Sequence, residues 1–233
     1  SIHQFTIDNF NYEKCTGCGS IYTNPYLKEG VLTGLYNNGD YKAYQKNLVA
    51  KGSEVRSSIL ENRKFIQVKE ILNKKNASLL DVGCGNATFL NVCKQSGWNV
   101  QGVDPTKSSA QNALEKYNIE VHEGEFGNAK INSKFDVVTF WGVLEHLRYP
   151  VLALERARSM LNDGGMIVFE VPSSDCFLSK YLSSYPFEAT RYIESGRHNI
   201  FFSENIINCL AVDIGMEVAF IESNGLDIQT IFM

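Results

Sequence analysis

The chain has 233 residues, 44% of them hydrophobic, and 26 acidic against 22 basic side chains leave a net charge of −4. That length can bury one sizeable core with room for a small accessory element. With no long Lys/Arg run, a nucleic acid is disfavoured as a partner; no stretch approaches the ~18 apolar residues of a membrane span, and the first residues hold no signal-peptide h-region.

Residues 1–46 read as a separate N-terminal segment. Tyr12 to Gly19 contains Cys15-Thr16-Gly17-Cys18-Gly19, a C-x-x-C-G turn that is half of a tetrahedral zinc site. No second C-x-x-C exists in the sequence, and His3 is the only other nearby ligand type. The expectation is therefore two unpaired thiols and no bound metal. The remaining cysteines do not suggest a disulfide scaffold. Cys84 falls in a glycine turn, while Cys93 and Cys209 fall in apolar-periodic segments, so buried thiols in a reducing compartment, the cytoplasm, are expected.

From residue 47 onward, strand and helix patterns alternate. Asn47 to Leu72 is helical in period, with Val55, Ile59, Ile66 and Leu72 as expected core contacts. Leu79 to Ala87, reading L-L-D-V-G-C-G-N-A, is an apolar strand that ends in an acid and opens into glycines. Gly83 and Gly85 leave backbone bare for a ligand, and Cys84 lies between them. Thr88 to Ser96 follows as a helix stopped by Gly97. Trp98 to Val103 is the next strand, with Asp104 and Pro105 at its carboxyl end. An acid about 20 residues past the glycine turn is placed to accept hydrogen bonds from ribose hydroxyls. Asp81 argues against a pyrophosphate, because a carboxylate repels phosphate but suits an ammonium. A nucleoside that carries a cation fits better, and S-adenosylmethionine (SAM) has that character.

Lys107 to Tyr117 places Ala110, Ala113, Leu114 and Tyr117 on one helical stripe. Pro150 opens a helix with Ala153, Ala157 and Met160 inward, and Met166 to Val171 is an apolar strand. Pro172 to Phe202 is long for a βα connection and rich in aromatic residues, including Phe177, Tyr181, Tyr185, Phe187, Tyr192, Phe201 and Phe202. We read 172–202 as a lid over the acceptor, with Arg191, Arg197 and His198 available to an anionic group. Ser203 caps a helix with Ile206, Ile207, Leu210, Ala211 and Ile214, ended by Gly215, and Met216 to Ile221 is a further strand. Such alternation specifies an α/β fold, a doubly wound and mainly parallel sheet with helices on both faces.

Five ordered blocks resemble the class I SAM-dependent methyltransferases. They are the D-x-G-x-G turn, Gly102-Val103-Asp104-Pro105, Gly124-Glu125-Phe126, Phe135-Asp136-Val137-Val138 with Gly142 to Leu147, and Leu161-Asn162-Asp163-Gly164-Gly165. Ala87 stands where the family often has a third glycine, and Asp163 where it has proline. The resemblance implies that Asp81 and Gly83 meet the amino-acid end of SAM and Asp104 the ribose. It places Gly124, Glu125 and Phe126 at the adenine, with Trp141 as a further cofactor neighbour. His146 follows the fourth strand beside the donor, which makes it the first candidate for a catalytic base, with His198 as the second; Glu145 would orient its neighbours. His3 and His122 are expected to be structural or exposed.

The C-x-x-C-G followed by Asn24-Pro25 is similar to the zinc-binding module of methyltransferases acting on surface polysaccharides, nucleotide sugars and natural products. A sugar or nucleotide-sugar acceptor is therefore the preferred expectation. A quinone or phenol O-methyltransferase and a non-catalytic SAM-binding partner subunit stay open. In that family a last antiparallel strand pairs beside strand six and closes the sheet edge. Leu226 to Met233 is expected either to form it or to lead into further chain, the second being favoured; an unpaired apolar edge there would promote a homodimer.

Overall fold

The computed structural model describes residues 1–26, 31, 34, 53–176, 193, 196–223 and 227–233. Its described residues divide between two compact units that do not follow chain order: 1–28, 140–158 and 167–233 form one, and 29–139 with 159–166 the other.

The second of these carries the glycine turn. Helix α1 (Ser53–Leu72) is followed by strand β4 (Ser78–Val82), helix α2 (Thr88–Gln95), strand β5 (Asn99–Asp104), helix α3 (Lys107–Tyr117) and strand β6 (Val121–Glu123). β4 pairs in parallel with β5, and β5 with β6. Strand β7 (Phe135–Trp141) begins in this unit with Val137 and Val138 wholly buried. Parallel strands need a crossover, and the amphipathic α2 and α3 supply it. α2 buries Phe89, Leu90 and Cys93.

Two helical faces differ from expectation. In α1 the inward residues are Phe65 and Val68, while Ile59 and Ile66 are 64% and 52% exposed. The stripe that packs is 61, 65, 68 and 72, and Phe65 meets Trp98 edge-on at 5.1 Å. At about 100° per residue Ile59 and Ile66 fall off this stripe, and Phe65 presents its ring to Trp98. In α3 the buried positions are Ser109 and Ala113, and Leu114 is exposed.

The first unit contains a small sheet ordered β1–β2–β3–β9, made from β1 (Ile2–Ile7), β2 (Phe10–Lys14), β3 (Ile21–Asn24) and β9 (Ile200–Phe201). Phe5, Ile7, Tyr12, Ile21, Ile193 and Phe201 form its core. Phe5 stacks on Tyr12 at 4.9 Å. The N-terminal strands are thus completed by a segment nearly two hundred residues later, which pairs with β3 at Ile21 and Tyr22.

Helix α4 (Pro150–Ser159) buries Ala153, Leu154 and Ala157 as patterned. Strand β8 (Leu161–Pro172) starts at Leu161 rather than Met166, since the ladder continues into exposed residues that hydropathy does not mark. Helix α5 (Glu204–Asp213) is capped by Ser203, whose hydroxyl accepts from the Ile206 N–H at 3.2 Å. Cys209 is exposed, contrary to expectation, because α5 buries 207, 210 and 211 and turns position 209 outward. No disulfide forms among the described cysteines.

Strands β10 (Val218–Ser223) and β11 (Asp227–Phe232) finish the chain. The larger sheet runs β10–β11–β8–β7–β4–β5–β6. β11 is antiparallel to both neighbours, from Asp227↔Pro172 to Phe232↔Ile167 on one side and against β10 on the other. It therefore lies inside the sheet instead of closing its edge. Both its backbone rows are engaged, so the expected unpaired apolar edge at this strand is not formed. Of the anticipated lid, Phe177, Tyr181, Tyr185, Phe187, Arg191 and Tyr192 lie outside the described residues.

Candidate functional site

At the end of β4 the chain turns through Gly83 and Gly85, at φ +71° and +50°. The left-handed backbone at both positions explains why glycine serves there. The Gly83 N–H donates to the Val103 carbonyl at 2.7 Å. Asp104 fastens the turn with its side chain: one carboxylate oxygen accepts from the Gly85 N–H at 2.9 Å, and the other from the Thr106 N–H at 2.9 Å and hydroxyl at 2.6 Å. The Gly124 N–H donates to the Asp104 carbonyl at 2.9 Å. Asp81, Gly83, Gly85, Asp104 and Gly124 thus gather at the carboxyl ends of β4 and β5, where open α/β sheets bind ligands.

Asp81 is nearly fully buried, and its carboxylate accepts from the Thr139 hydroxyl at 2.6 Å. Burial pushes its carboxyl up to about 7, against the opposing effect of that hydrogen bond, with Glu61 and Asp104 adding repulsion. A buried acid poised near neutrality is suited to a cation. The Cys84 thiol beside it is pushed far up by burial, then by Asp81, which leaves it inert. Pro105 is half-buried, Phe126 is buried, and Glu125 is exposed.

Thr139 and Thr106 were not singled out in the sequence. Thr139 had a signal: a hydroxyl residue within the apolar Val137-Val138-Thr139-Phe140 run requires a buried partner. Thr106 had none beyond its place after the acid.

The other unit holds Trp141, His146 and His198. Trp141 ends β7 and is half-buried. A short 3₁₀ turn at Leu144–His146 presents Glu145 and His146. The His146 and His198 rings lie 4.9 Å apart, and His146 Nε2 is 3.9 Å from the buried Glu145 Oε1. His146 Nδ1 is 3.0 Å from the Arg197 carbonyl oxygen. A carbonyl can only accept, so Nδ1 carries hydrogen and Nε2 has the lone pair of the neutral ring. Asn199, also absent from the sequence reading, locks the pair of loops together. Its N–H donates to the Glu145 carbonyl and its amide to the His146 carbonyl, both at 2.8 Å. The two histidines expected separately as first and second candidate bases are thus neighbours. His3 lies in β1 and is exposed, and His122 lies in β6 and is half-buried.

In the same unit, the Cys15 turn closes through a Gly19 N–H bond to the Cys15 carbonyl at 2.9 Å. The N–H groups of Cys18 and Gly17 hold the Cys15 thiol below its ordinary range. The Ser203 hydroxyl donates to the Cys18 carbonyl at 2.6 Å, which ties the turn to the start of α5.

The glycine turn, the paired acids and the strand order define a Rossmann-like α/β fold of the methyltransferase type. Residues 54–219 match a methyltransferase domain family, and the chain belongs to it. A tRNA U34 carboxymethyltransferase of Campylobacter fetus is 30% identical over 132 residues, covering 52% of this chain and 47% of that protein. A ubiquinone biosynthesis O-methyltransferase of Haemophilus ducreyi is 29% identical over 116 residues, 44% of this chain and 48% of that one. The chain spans about half the length of the curated relatives it matches. In fold it is similar to the magnesium protoporphyrin IX methyltransferase of Synechocystis with bound SAH, with a TM-score of 0.68 at 14% identity over 88% of this chain and 98% of that one. It is also similar to the 1,6-didemethyltoxoflavin-N1-methyltransferase of Burkholderia thailandensis, with a TM-score of 0.64 at 12% identity over 100% of this chain and 98% of that one.

Proposed function

We propose that the chain binds SAM and transfers its methyl group to a small-molecule acceptor. The observation that carries this reading is the pair of buried acids at adjacent parallel strand ends, Asp81 and Asp104, around a glycine turn. Asp81 takes the α-ammonium, for which a desolvated carboxylate is the natural partner. Asp104 holds the turn open and keeps one accepting site for a ribose hydroxyl, on the oxygen that takes only the Gly85 N–H. Gly83, Cys84 and Gly85 give backbone access; Pro105, Gly124, Glu125, Phe126 and Trp141 complete the proposed cofactor contacts.

Methyl transfer is an in-line displacement in which the acceptor lone pair attacks the methyl carbon and the thioether leaves. Alignment supplies much of the acceleration. An oxygen or carbon acceptor must also lose a proton, and His146, with His198, is the proposed base. The fixed Nδ1–H of His146 leaves Nε2 as the proton-accepting atom.

The acceptor favoured by the C-x-x-C-G…N-P and E-H-L blocks is a sugar or nucleotide sugar. A second reading, a phenol or quinone oxygen, draws support from the ubiquinone-pathway name of the Haemophilus ducreyi relative. Calorimetry with SAM tests the first step, and a screen of nucleotide sugars against phenols, read as a gain of one methyl by mass, tests the second. Absence of SAM binding would overturn the proposal.

A further inference from the structure

Glu145, His146 and His198 offer one carboxylate oxygen and two imidazole nitrogens that all lie within 4.8 Å of one another. We propose that this cluster is a binding site for a divalent transition-metal ion of borderline character, with Zn²⁺ as the favoured ion. The proposal concerns binding and does not depend on methyl transfer.

The donor set is the first argument. Two imidazoles with one carboxylate suit zinc and its first-row neighbours, whereas Mg²⁺ and Ca²⁺ prefer oxygen ligands throughout. A metal about 2.1 Å from each ligand needs donors roughly 3 to 3.5 Å apart, which small side-chain rotations reach from the observed separations.

The second argument is the surrounding shell. A ligating histidine commonly donates its other ring N–H to a carbonyl, which aims the free lone pair at the ion. His146 has this arrangement, with Nδ1 against the Arg197 carbonyl and Nε2 directed toward Glu145. Asn199 bridges the carbonyls of Glu145 and His146 and directly follows His198, so one residue fixes all three ligands in place. Thr23 of β3 in turn donates its N–H to the Asn199 carbonyl at 2.9 Å. Phe201, edge-on to His198 at 5.8 Å, gives the cluster an apolar wall.

Three protein ligands leave coordination positions for oxygen donors, as catalytic zinc sites do. With an ion bound, the lone pairs of His146 and His198 are ligands, so metal binding and the proposed base role exclude one another.

The test uses Co²⁺ as the optical stand-in for zinc on the full chain after chelator treatment, without methyl donor or acceptor. Failure then leaves the methyltransferase reading intact. The Cys15→Ser/Cys18→Ser variant removes the paired thiols of the C-x-x-C turn, and a thiolate charge-transfer band would report any binding at the remaining cysteines. The variant is expected to bind one Co²⁺ per chain, with visible d–d bands and no thiolate charge-transfer band. His146→Gln or His198→Gln in that background should weaken binding at least tenfold. Loss of Co²⁺ binding in the cysteine variant, or unchanged affinity after His198→Gln, would overturn the site. Should a histidine variant misfold by circular dichroism, pulsed EPR of Cu²⁺ bound to the otherwise unmodified cysteine variant decides. Two coupled imidazoles support the proposal, and one or none sinks it.

Discussion

The Thr139 hydroxyl donates to the Asp81 carboxylate at 2.6 Å, joining β7 to the end of β4 inside a buried environment. One hydroxyl stabilises a buried anion less than water does, so the carboxyl titrates at about 7. The sign follows directly. A carboxyl raised from 3.8 makes the folded chain bind protons more tightly than the unfolded one, and its ionisation destabilises the fold progressively as pH rises from about 4 to 7. Without ligand, Asp81→Asn should therefore be more stable than the parent at pH 8, by on the order of 2 kcal/mol. The gap should vanish near pH 4, as thermal melts across that range would show. Equal stability at pH 8 would refute the raised carboxyl.

The same group sets the pH dependence of SAM binding. An ammonium partner requires ionised Asp81, so binding below pH 7 must expel a proton. Affinity should rise with pH by up to about tenfold per unit below 7 and level off above it. Calorimetry in buffers of different ionisation enthalpy should register the released proton, and Asp81→Asn should bind weakly at every pH. A flat profile for the parent chain would remove Asp81 from the amino-acid end.

Much of this site is legible in the sequence because the residues that build it are close in the chain or spaced by one βα unit. Asp81, Gly83 and Asp104 belong to that class. His198 is different: it reaches His146 because Arg197 and Asn199 bond back to the 145–146 turn, a long-range pairing that no spacing encodes. The inward face of α1 is not legible from hydropathy, which ranks Ile59 and Ile66 with Phe65, whereas packing against Trp98 selects the aromatic ring. The place of β11 between β8 and β10 was likewise hidden, since an apolar strand of that length reads alike at an edge or inside a sheet.

Asp104 is expected to serve both cofactor and fold. Asp104→Ala removes acceptors from the Gly85 N–H, the Thr106 N–H and the Thr106 hydroxyl. SAM affinity should fall by on the order of 2 kcal/mol, the loss typical of charge-assisted hydrogen bonds. The melting temperature should fall as well, because two backbone donors lose their partner. Unchanged SAM affinity by calorimetry would remove the ribose assignment.

Asp136 is an electrostatic clamp on the start of β4. It accepts from Lys74 Nζ at 2.6 Å and from the Ser78 N–H at 2.9 Å. Burial raises its carboxyl, but these bonds outweigh that and hold it at about 2. Here the folded value lies below the unfolded one, so its contribution is present above about pH 4 and is lost as pH falls toward 2. Asp136→Asn should lower the melting temperature at pH 7 and leave it nearly unchanged at pH 2. A deficit that persists at pH 2 would show that packing, not charge, is what the aspartate supplies.

Gly102 offers a test of how tightly the turn packs on β5. A Cβ there would sit 2.6 Å from Cys84 Sγ, 2.9 Å from Leu90 Cδ1 and 3.0 Å from Val121 Cγ2. Leu90 lies in α2, Val121 in β6 and Cys84 in the glycine turn, so the strain cannot be relieved by one flexible side chain. Gly102→Ala should cost about 1 to 3 kcal/mol in stability, the usual range for overpacking. Because the nearest clash is with sulfur, Cys84→Ala should recover part of that loss in the double variant, giving a non-additive cycle. The Cys84 thiol is driven up by burial, so Cys84→Ala alone removes no ionised group. Chemical denaturation of the four proteins measures the coupling, and strictly additive changes would show that Cys84 and position 102 are not in contact.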